Sequence, residues 1–196
     1  MGNVQAYILA GGKSQRFGSD KSRARLGGTT LIDRTIRFVE KLDLPLTVVA
    51  DRPERFSDLA TPIITDEIPE HGPLSGLAAA LNHCPSESWV FLISCDLKAL
   101  EPHWLEQLTA EIGPKHQAIA FRDQAWQPLV ALYHPAILAT VRRNLAQSEL
   151  SLQKLLDQVA TQAVELPRDW ISPPSINTPE DLDVLRSEEP SHAHRP

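Results

Sequence analysis

The loop after the first apolar run carries residue types that bind anions. The run begins at Ala6 and passes at Gly11 and Gly12 into the stretch "GGKSQRFGSDKS". Glycine lets the main chain approach a ligand closely, so that backbone N–H groups can surround an anion. Four cations are spaced along this stretch and just beyond it: Lys13, Arg16, Lys21 and Arg23. The spacing predicts a triphosphate site with Arg16 and Lys21 as preferred contacts, and a basic solvated turn is the alternative.

Two aspartates follow later apolar runs. Asp66 comes after "PIIT", and Asp96 comes after "WVFLISC". In an open α/β sheet, ligands bind beyond the carboxyl ends of the strands, so the opening loop and both aspartates are predicted to converge on one pocket. Asp96 is the better candidate for Mg²⁺, which takes one or two carboxylates together with substrate phosphates. Capping of the next helix is the alternative role for Asp96, and a loop role is the alternative for Asp66.

The loop does not fit two familiar phosphate motifs. Tyr7 stands where a P-loop needs its first glycine, and no G-x-G-x-x-G register is present. No nucleophile has an adjacent base either, since neither Ser94 nor Cys95 has a histidine partner nearby in sequence. Transfer between two phosphates needs no covalent intermediate, because a phosphate monoester is largely ionised at neutral pH. These patterns weaken the ATPase and dehydrogenase interpretations and leave a transfer between two phosphates open.

Apolar runs alternate with helical patterns along the chain, which predicts an α/β fold with a mostly parallel central sheet. Strands are predicted at Ala6–Ala10, Leu46–Ala50, Pro62–Thr65, Trp89–Ile93, Ala118–Phe121 and Pro128–Tyr133. Helices are predicted at Thr30–Leu42, Pro73–Leu81, Pro102–Ile112, Ala136–Leu145, Leu152–Val159 and from Pro179 onward. The start of the second helix, at Gly72 and Pro73, is a further candidate to receive an anion or a ribose hydroxyl.

Composition and charge limit the class of protein. The chain has 196 residues, 42% of them hydrophobic, and a net charge of −6, which argues against a general nucleic-acid binder. We expect one domain over residues 1–186 and a disordered tail over 187–196. Cys84 and Cys95 are predicted to be reduced core thiols, and no membrane span or signal peptide is visible. A cytoplasmic protein is therefore expected, with no membrane partner.

Five motifs, in order, give the chain a family resemblance: "LAGGKSQRFGSDK", "GPLSGL", "CD" at the end of a buried run, "QPLVALY" and "NTPEDL". They span almost the whole chain, from Leu9 to Leu182. Together they resemble the molybdenum cofactor guanylyltransferases within the Rossmann-like nucleotidyltransferase group. Gly11 and Asp20 favour this branch, because the related cytidylyltransferases more often have "LAAG" with "NK".

This resemblance implies a three-layer Rossmann-like nucleotidyltransferase fold and a Mg²⁺-assisted reaction. GMP would pass from GTP to the terminal phosphate of molybdopterin, giving molybdopterin guanine dinucleotide and pyrophosphate. The residues that would bind the nucleotide are Leu9, Ala10, Gly11, Gly12, Lys21, Asp66 and Asp96. Lys21, Arg16 and Asp96 would act in catalysis, with Asp96 also holding the metal, and Gln127 and Asn177 would face the pterin. Other molybdenum cofactor biosynthesis proteins or acceptor molybdoenzymes are implied as partners.

The chain departs from that family pattern at several positions. Phe17 replaces a methionine, Lys98 stands where a proline usually follows "CD", and Ser175 stands where an asparagine is frequent. A further asparagine of the family falls near Ala50 or Asp51. Two alternatives therefore stay open: a cytidylyltransferase or sugar-phosphate nucleotidyltransferase, and a catalytically weak GTP-binding module that delivers cofactor to a partner.

Overall fold

A seven-stranded sheet forms the centre of the chain, for which a computed structural model describes residues 3–10, 20–172 and 174–188. The strands are β1 Asn3–Leu9, β2 Arg25–Leu26, β3 Thr29–Thr30, β4 Leu46–Ala50, β5 Ile63–Thr65, β6 Ser88–Ser94, β7 Ala118–Arg122, β8 Trp126–Tyr133 and β9 Thr161–Glu165. The helices are α1 Leu31–Lys41, α2 Gly72–His83, α3 Pro102–Ala110, α4 Leu138–Ala146, α5 Leu152–Gln158 and α6 Pro179–Glu188. The sheet order is β5-β4-β1-β6-β8-β7-β9, and only β8 runs antiparallel to its neighbours. The predicted mostly parallel α/β fold is confirmed.

Helices cover both faces of the sheet, so that two hydrophobic clusters fill the space on either side of it. One cluster joins the sheet to α2, α4 and α5, and the other joins it to α1 and α3. Every residue of β6 is buried, as its continuous apolar sequence predicts for a strand covered on both faces. A third, smaller cluster packs α6 against the β2–β3 hairpin. The result is a three-layer arrangement in which the ends of the central strands stay accessible.

Helix boundaries follow the local signals in the sequence. Thr30 caps α1 by accepting a hydrogen bond from the Asp33 N–H, and Pro179 opens α6 at a position where its missing N–H costs nothing. That last helix includes Ser187 and Glu188, which the sequence analysis placed in the tail. The remaining tail positions, 189–196, lie outside the described residues.

Three short strands were not predicted from the sequence. The β2–β3 hairpin turns at Gly27 and Gly28, whose φ angles of 56° and 79° are the positive values that a tight two-residue turn requires. At the edge of the sheet, β9 pairs in parallel with β7.

The remaining chain-wide expectations concern cysteines and membranes. Cys84 and Cys95 are both free and buried, as predicted for core thiols. Burial raises the pKa of Cys84 to about 11. Within the described ranges, no helix is long and apolar enough to cross a membrane.

Candidate active site

The carboxyl ends of three strands meet at one edge of the sheet. In the strand register, Leu9 at the end of β1 lies opposite Val49 of β4 on one side and Ser94 of β6 on the other. Hydrogen bonds continue this pairing past the strand ends, since the Ala10 N–H donates to the Val49 carbonyl and the Cys95 N–H donates to the Leu9 carbonyl. Side chains that follow β1, β4 and β6 are therefore brought together, as expected for a ligand site in an open α/β sheet.

A cavity of about 640 Å³ opens at this edge. Its volume lies within the usual range for small-molecule sites. Residues from four strand ends and from α2 contribute to its wall, among them Leu9, Asp51, Asp66, Gly76, Ser94 and Asp96. The cavity thus brings together Leu9, Asp66 and Asp96, which the sequence analysis assigned to one nucleotide pocket. Gly72 and Pro73, at the start of α2, also line it.

Asp96 lines the cavity and forms an ion pair with Lys21, which is not among the described lining residues. Lys21 Nζ lies 2.5 Å from Asp96 Oδ2, and the two side chains are 14% and 19% exposed. The hydroxyl of Ser94 donates to the other carboxylate oxygen, Asp96 Oδ1, at 2.6 Å. Both oxygens of Asp96 are therefore fixed in place, and a lysine ammonium is held beside the position where a phosphate could bind.

Residues near the C-terminus fix the turn after Asp96. The Ile176 N–H donates to the Asp96 carbonyl at 2.8 Å, and the Lys98 N–H donates to the Pro174 carbonyl at 2.7 Å. The Lys98 ammonium also lies 3.7 Å from Asp181. A proline at position 98 has no N–H and could not make the bond to Pro174. The departure from the family pattern at Lys98 is thus accompanied by a backbone contact that connects this turn to the segment before α6.

Two carboxylates lie on the other side of the cavity. Asp66 follows β5, where its N–H donates to the Ala50 carbonyl at 3.2 Å, and Asp51 follows β4 directly. Burial, and secondarily the negative charge of Asp51, raises the pKa of Asp66 from 3.8 to about 6. The sequence analysis placed the family asparagine near Ala50 or Asp51, and the structure shows that Asp51 lines the cavity.

The raised pKa of Asp66 predicts a pH-dependent effect on stability. Between pH 3.8 and about 6, the folded chain binds more protons at Asp66 than the unfolded chain does. The free energy of unfolding therefore falls as pH rises through this window, and the ionised carboxylate destabilises the fold at pH 7.5. We expect Asp66→Asn to raise the thermal midpoint at pH 7.5 by about 2 to 6 °C and to lose most of this gain by pH 4. Thermal unfolding of both proteins across this range checks the prediction, and an equal shift at both ends would contradict it.

Gly76 permits the close packing of α2 against the strand ends. A Cβ atom at this position would lie 2.7 Å from Leu9 Cδ2 and 3.3 Å from Asp66 Oδ1. A Cβ atom here would therefore force the Leu9 side chain to move and would crowd Asp66, and both residues line the cavity. The sequence analysis did not assign Gly76 a role at the site.

The donor set of the described residues suits a magnesium ion that is shared with a substrate. Across residues 3–10, 20–172 and 174–188, no three His, Cys, Asp or Glu side chains cluster closely enough to hold a metal by themselves. Mg²⁺ typically takes only one or two carboxylates and completes its shell with water and phosphate oxygens. Asp96, partly buried at a strand end with both oxygens oriented, fits this requirement.

The other residues assigned from the sequence fall into two groups. Gly11, Gly12 and Arg16 lie outside the described residues. Gln127, in β8, and Asn177, before α6, are absent from the described lining of this cavity. Asn177 uses its groups locally, because its N–H donates to the Asp181 carboxylate at 2.8 Å and its side-chain amide donates to a backbone carbonyl. Their assignment to the pterin side therefore stays a prediction.

Comparisons with known proteins agree with this architecture. Residues 6–164 match the family model described as "MobA-like NTP transferase domain". A protein of Synechococcus elongatus named "Probable molybdenum cofactor guanylyltransferase" is 36% identical over 94% of this chain and 98% of its own length. A protein of the same name from Opitutus terrae is 33% identical over 91% of this chain and 93% of its own length. The solved structure of "Molybdopterin-guanine dinucleotide biosynthesis protein A" from Archaeoglobus fulgidus superimposes with a TM-score of 0.78 at 21% identity, covering 93% of this chain and 97% of that one.

Proposed function

The chain belongs to the family of MobA-like NTP transferase domains, and on that premise we propose that it transfers GMP from GTP to the terminal phosphate of molybdopterin. The products are molybdopterin guanine dinucleotide and pyrophosphate. One observation carries the proposal: the carboxylates of Asp51, Asp66 and Asp96 line a single cavity at the ends of β4, β5 and β6, and Asp96 also holds the ammonium of Lys21. This arrangement supports a site with the phosphates near Asp96 and the base near Asp51 and Asp66.

The reaction needs little covalent assistance from the protein. The terminal phosphate of molybdopterin is already a nucleophile at neutral pH, and it attacks the α-phosphorus of GTP while the bond to pyrophosphate breaks. The main obstacle is repulsion between two anions, since two unit charges about 4 Å apart cost roughly 4 kcal/mol at an effective dielectric near 20. That energy corresponds to about a thousandfold in rate. A fixed cation at the reacting phosphates lowers this barrier directly.

Lys21 supplies such a cation from this chain. Its ammonium is held on Asp96 at 2.5 Å, so it is oriented before any substrate arrives. When a phosphate binds, Lys21 exchanges one anionic partner, Asp96, for another, the phosphate. Because the side chain is already ordered, it loses little further conformational entropy on binding. Arg16 is proposed as a second phosphate contact.

Asp96 is the residue that would hold Mg²⁺, because the Ser94 hydroxyl fixes its Oδ1 and its Oδ2 would be freed when Lys21 moves to the phosphate. When bound, such an ion would supply positive charge beside the reacting phosphates. The chain's own contribution is to present one oriented carboxylate at the end of a rigid buried strand.

Carboxylates on the nucleoside side favour a base that offers hydrogen-bond donors. Guanine presents a ring N–H and an adjacent amino group on one edge, and the two oxygens of a single carboxylate can accept one hydrogen bond from each of these donors. Cytosine presents only its amino group on the corresponding edge. Asp66, with Asp51 beside it, is therefore proposed to select guanine, and Leu9 and Ala10 are proposed to contact the nucleotide through the end of β1. Gln127 and Asn177 are proposed to contact the pterin.

Pyrophosphate release by the purified protein tests this function. The protein, molybdopterin and Mg²⁺ are incubated in parallel with GTP, CTP or ATP. We expect release with GTP only, and only when molybdopterin is present. Omitting Mg²⁺ while keeping both substrates is expected to abolish release.

Each alternative function predicts a different result in the same assay. Release with CTP would favour the cytidine form of the dinucleotide, and release with a sugar phosphate as acceptor would favour a sugar-phosphate nucleotidyltransferase. Tight GTP binding without any release would contradict the proposal and favour a module that delivers cofactor to a partner.

A further inference from the structure

The segment between β4 and β5 contacts the turn that carries Lys21. A one-turn 3-10 helix at Pro53–Phe56 lies against a second one at Lys21–Arg23. Phe56 is fully buried, and the guanidinium groups of Arg23 from one turn and Arg55 from the other lie 5.0 and 5.5 Å from the centre of its ring. The two turns are thus joined through one buried aromatic ring and the two arginines over it.

Arg55 connects two aspartates with all three nitrogens of its guanidinium. Its Nη2 lies 2.6 Å from Asp20 Oδ1, and its Nε donates to Asp20 Oδ2 at 3.1 Å. Its Nη1 donates to Asp51 Oδ1 at 2.9 Å. The forked contact with Asp20 fixes the orientation of that carboxylate, and the contact with Asp51 ties the same guanidinium to the end of β4. Arg55 therefore sets Asp20 at a defined position relative to the sheet.

These contacts are partly shielded from water. The side chains of Arg55, Asp20 and Asp51 are 22%, 29% and 21% exposed. Burial alone would raise the pKa of Asp20, but its hydrogen bonds with Arg55 and Ser22 lower that pKa below its ordinary value. The direction of the shift shows that the carboxylate of Asp20 is stabilised in its charged form by these partners.

Asp20 in turn fixes the turn that carries Lys21. Its Oδ1 accepts hydrogen bonds from the Ser22 N–H at 3.1 Å and from the Ser22 hydroxyl at 2.6 Å. Asp20 is thereby the N-cap of the 3-10 turn in which Lys21 is the first residue. A continuous series of contacts leads from the end of β4, through Arg55 and Asp20, to the backbone of Lys21.

We propose that Arg55 is a positioning residue for nucleotide binding. It orients Lys21 through its contact with Asp20, and its hydrogen bond to Asp51 anchors it to the end of β4. This inference rests on the proposed function only in taking Lys21 as a triphosphate contact. Arg55 itself is not among the described residues that line the cavity. Lysine cannot replace it fully, since one ammonium cannot reproduce a planar fork that spans two carboxylates.

A double-mutant cycle with GTP binding as the readout tests the proposal. Dissociation constants are measured by calorimetry for the wild type, Arg55→Gln, Lys21→Met and the combined variant. We expect Arg55→Gln to weaken GTP binding by about tenfold, and Arg55→Lys to recover part of that loss. In the Lys21→Met background, Arg55→Gln is expected to change the affinity by less than about twofold, because the residue through which it acts is already gone.

Asp58→Asn is the matched control for general disturbance of the two turns. It removes the ion pair between Asp58 and Arg23, which joins the same two segments without touching Asp20. Its GTP affinity is expected to stay within about twofold of the wild type. An equal loss from Arg55→Gln with and without Lys21 would overturn the proposal, as would an equal loss in Asp58→Asn. Failure of the wild type to bind GTP would instead overturn the proposed function.

Discussion

Replacement of Asp96 with asparagine is expected to lower the rate of pyrophosphate release by about a thousandfold or more. Asparagine keeps the shape of the side chain and can still accept the hydrogen bond from Ser94, but it carries no charge for Mg²⁺ or for the ammonium of Lys21. The measurement is turnover at saturating GTP and molybdopterin over a range of Mg²⁺ concentrations. Added Mg²⁺ is not expected to restore the rate, because the variant lacks the charge rather than the geometry.

Asp183→Asn provides the matched control for this experiment. Asp183 also pairs with a cation, Arg186 at 2.7 Å, but it lies on the exposed face of α6. We expect normal turnover in this variant and a normal thermal midpoint in both variants. Retained Mg²⁺-dependent turnover in Asp96→Asn would contradict the role assigned to Asp96.

The second large effect is expected for Lys21→Met, which should weaken GTP binding by about 10- to 100-fold. Methionine retains the apolar length of the side chain and removes the ammonium that lies at Asp96. The loss should be largest for GTP, smaller for GDP and smallest for GMP, because the contact is assigned to the phosphates and not to the base. Calorimetric titration with the three nucleotides measures this order.

Lys154→Met is a suitable control for the loss of a lysine ion pair. Lys154 lies 2.6 Å from Glu149, and its side chain is 63% exposed. Because exposed pairs contribute little, this variant should bind GTP as the wild type does. An unchanged GTP affinity in Lys21→Met would show that Lys21 does not contact the phosphates.

Local signals in the sequence predicted most of the fold. Helix α1 was recognisable because its apolar spacing is helical and Thr30 is a good N-cap. The β2–β3 hairpin was missed because its strands are only two residues long, although Gly27 and Gly28 are a typical turn pair. Strand β9 was missed because it is short, partly exposed and stabilised mainly by pairing with β7, which no local pattern reveals.

The site residues that could be predicted from the sequence are those that directly follow a strand. Asp66 and Asp96 could be placed in a common cavity because parallel strands end at the same edge of a sheet. Asp51 follows β4 in the same manner, so the same rule applied to it would have placed it there. The contacts of Arg55 with Asp20 and Asp51 depend on how two distant turns pack together, and this cannot be read from a single sequence.

The contact between the Asp96 turn and the segment before α6 has a consequence for protein synthesis. Ile176 and Pro174 complete this turn, yet they lie far along the chain from Asp96. On the ribosome, β1, β4 and β6 emerge well before these partners, and closing so long a loop delays the final geometry. A nascent chain is therefore expected to form its sheet first and to complete the turn after Asp96 last. Chains that end before Pro174 would therefore lack the hydrogen bonds that complete the turn after Asp96.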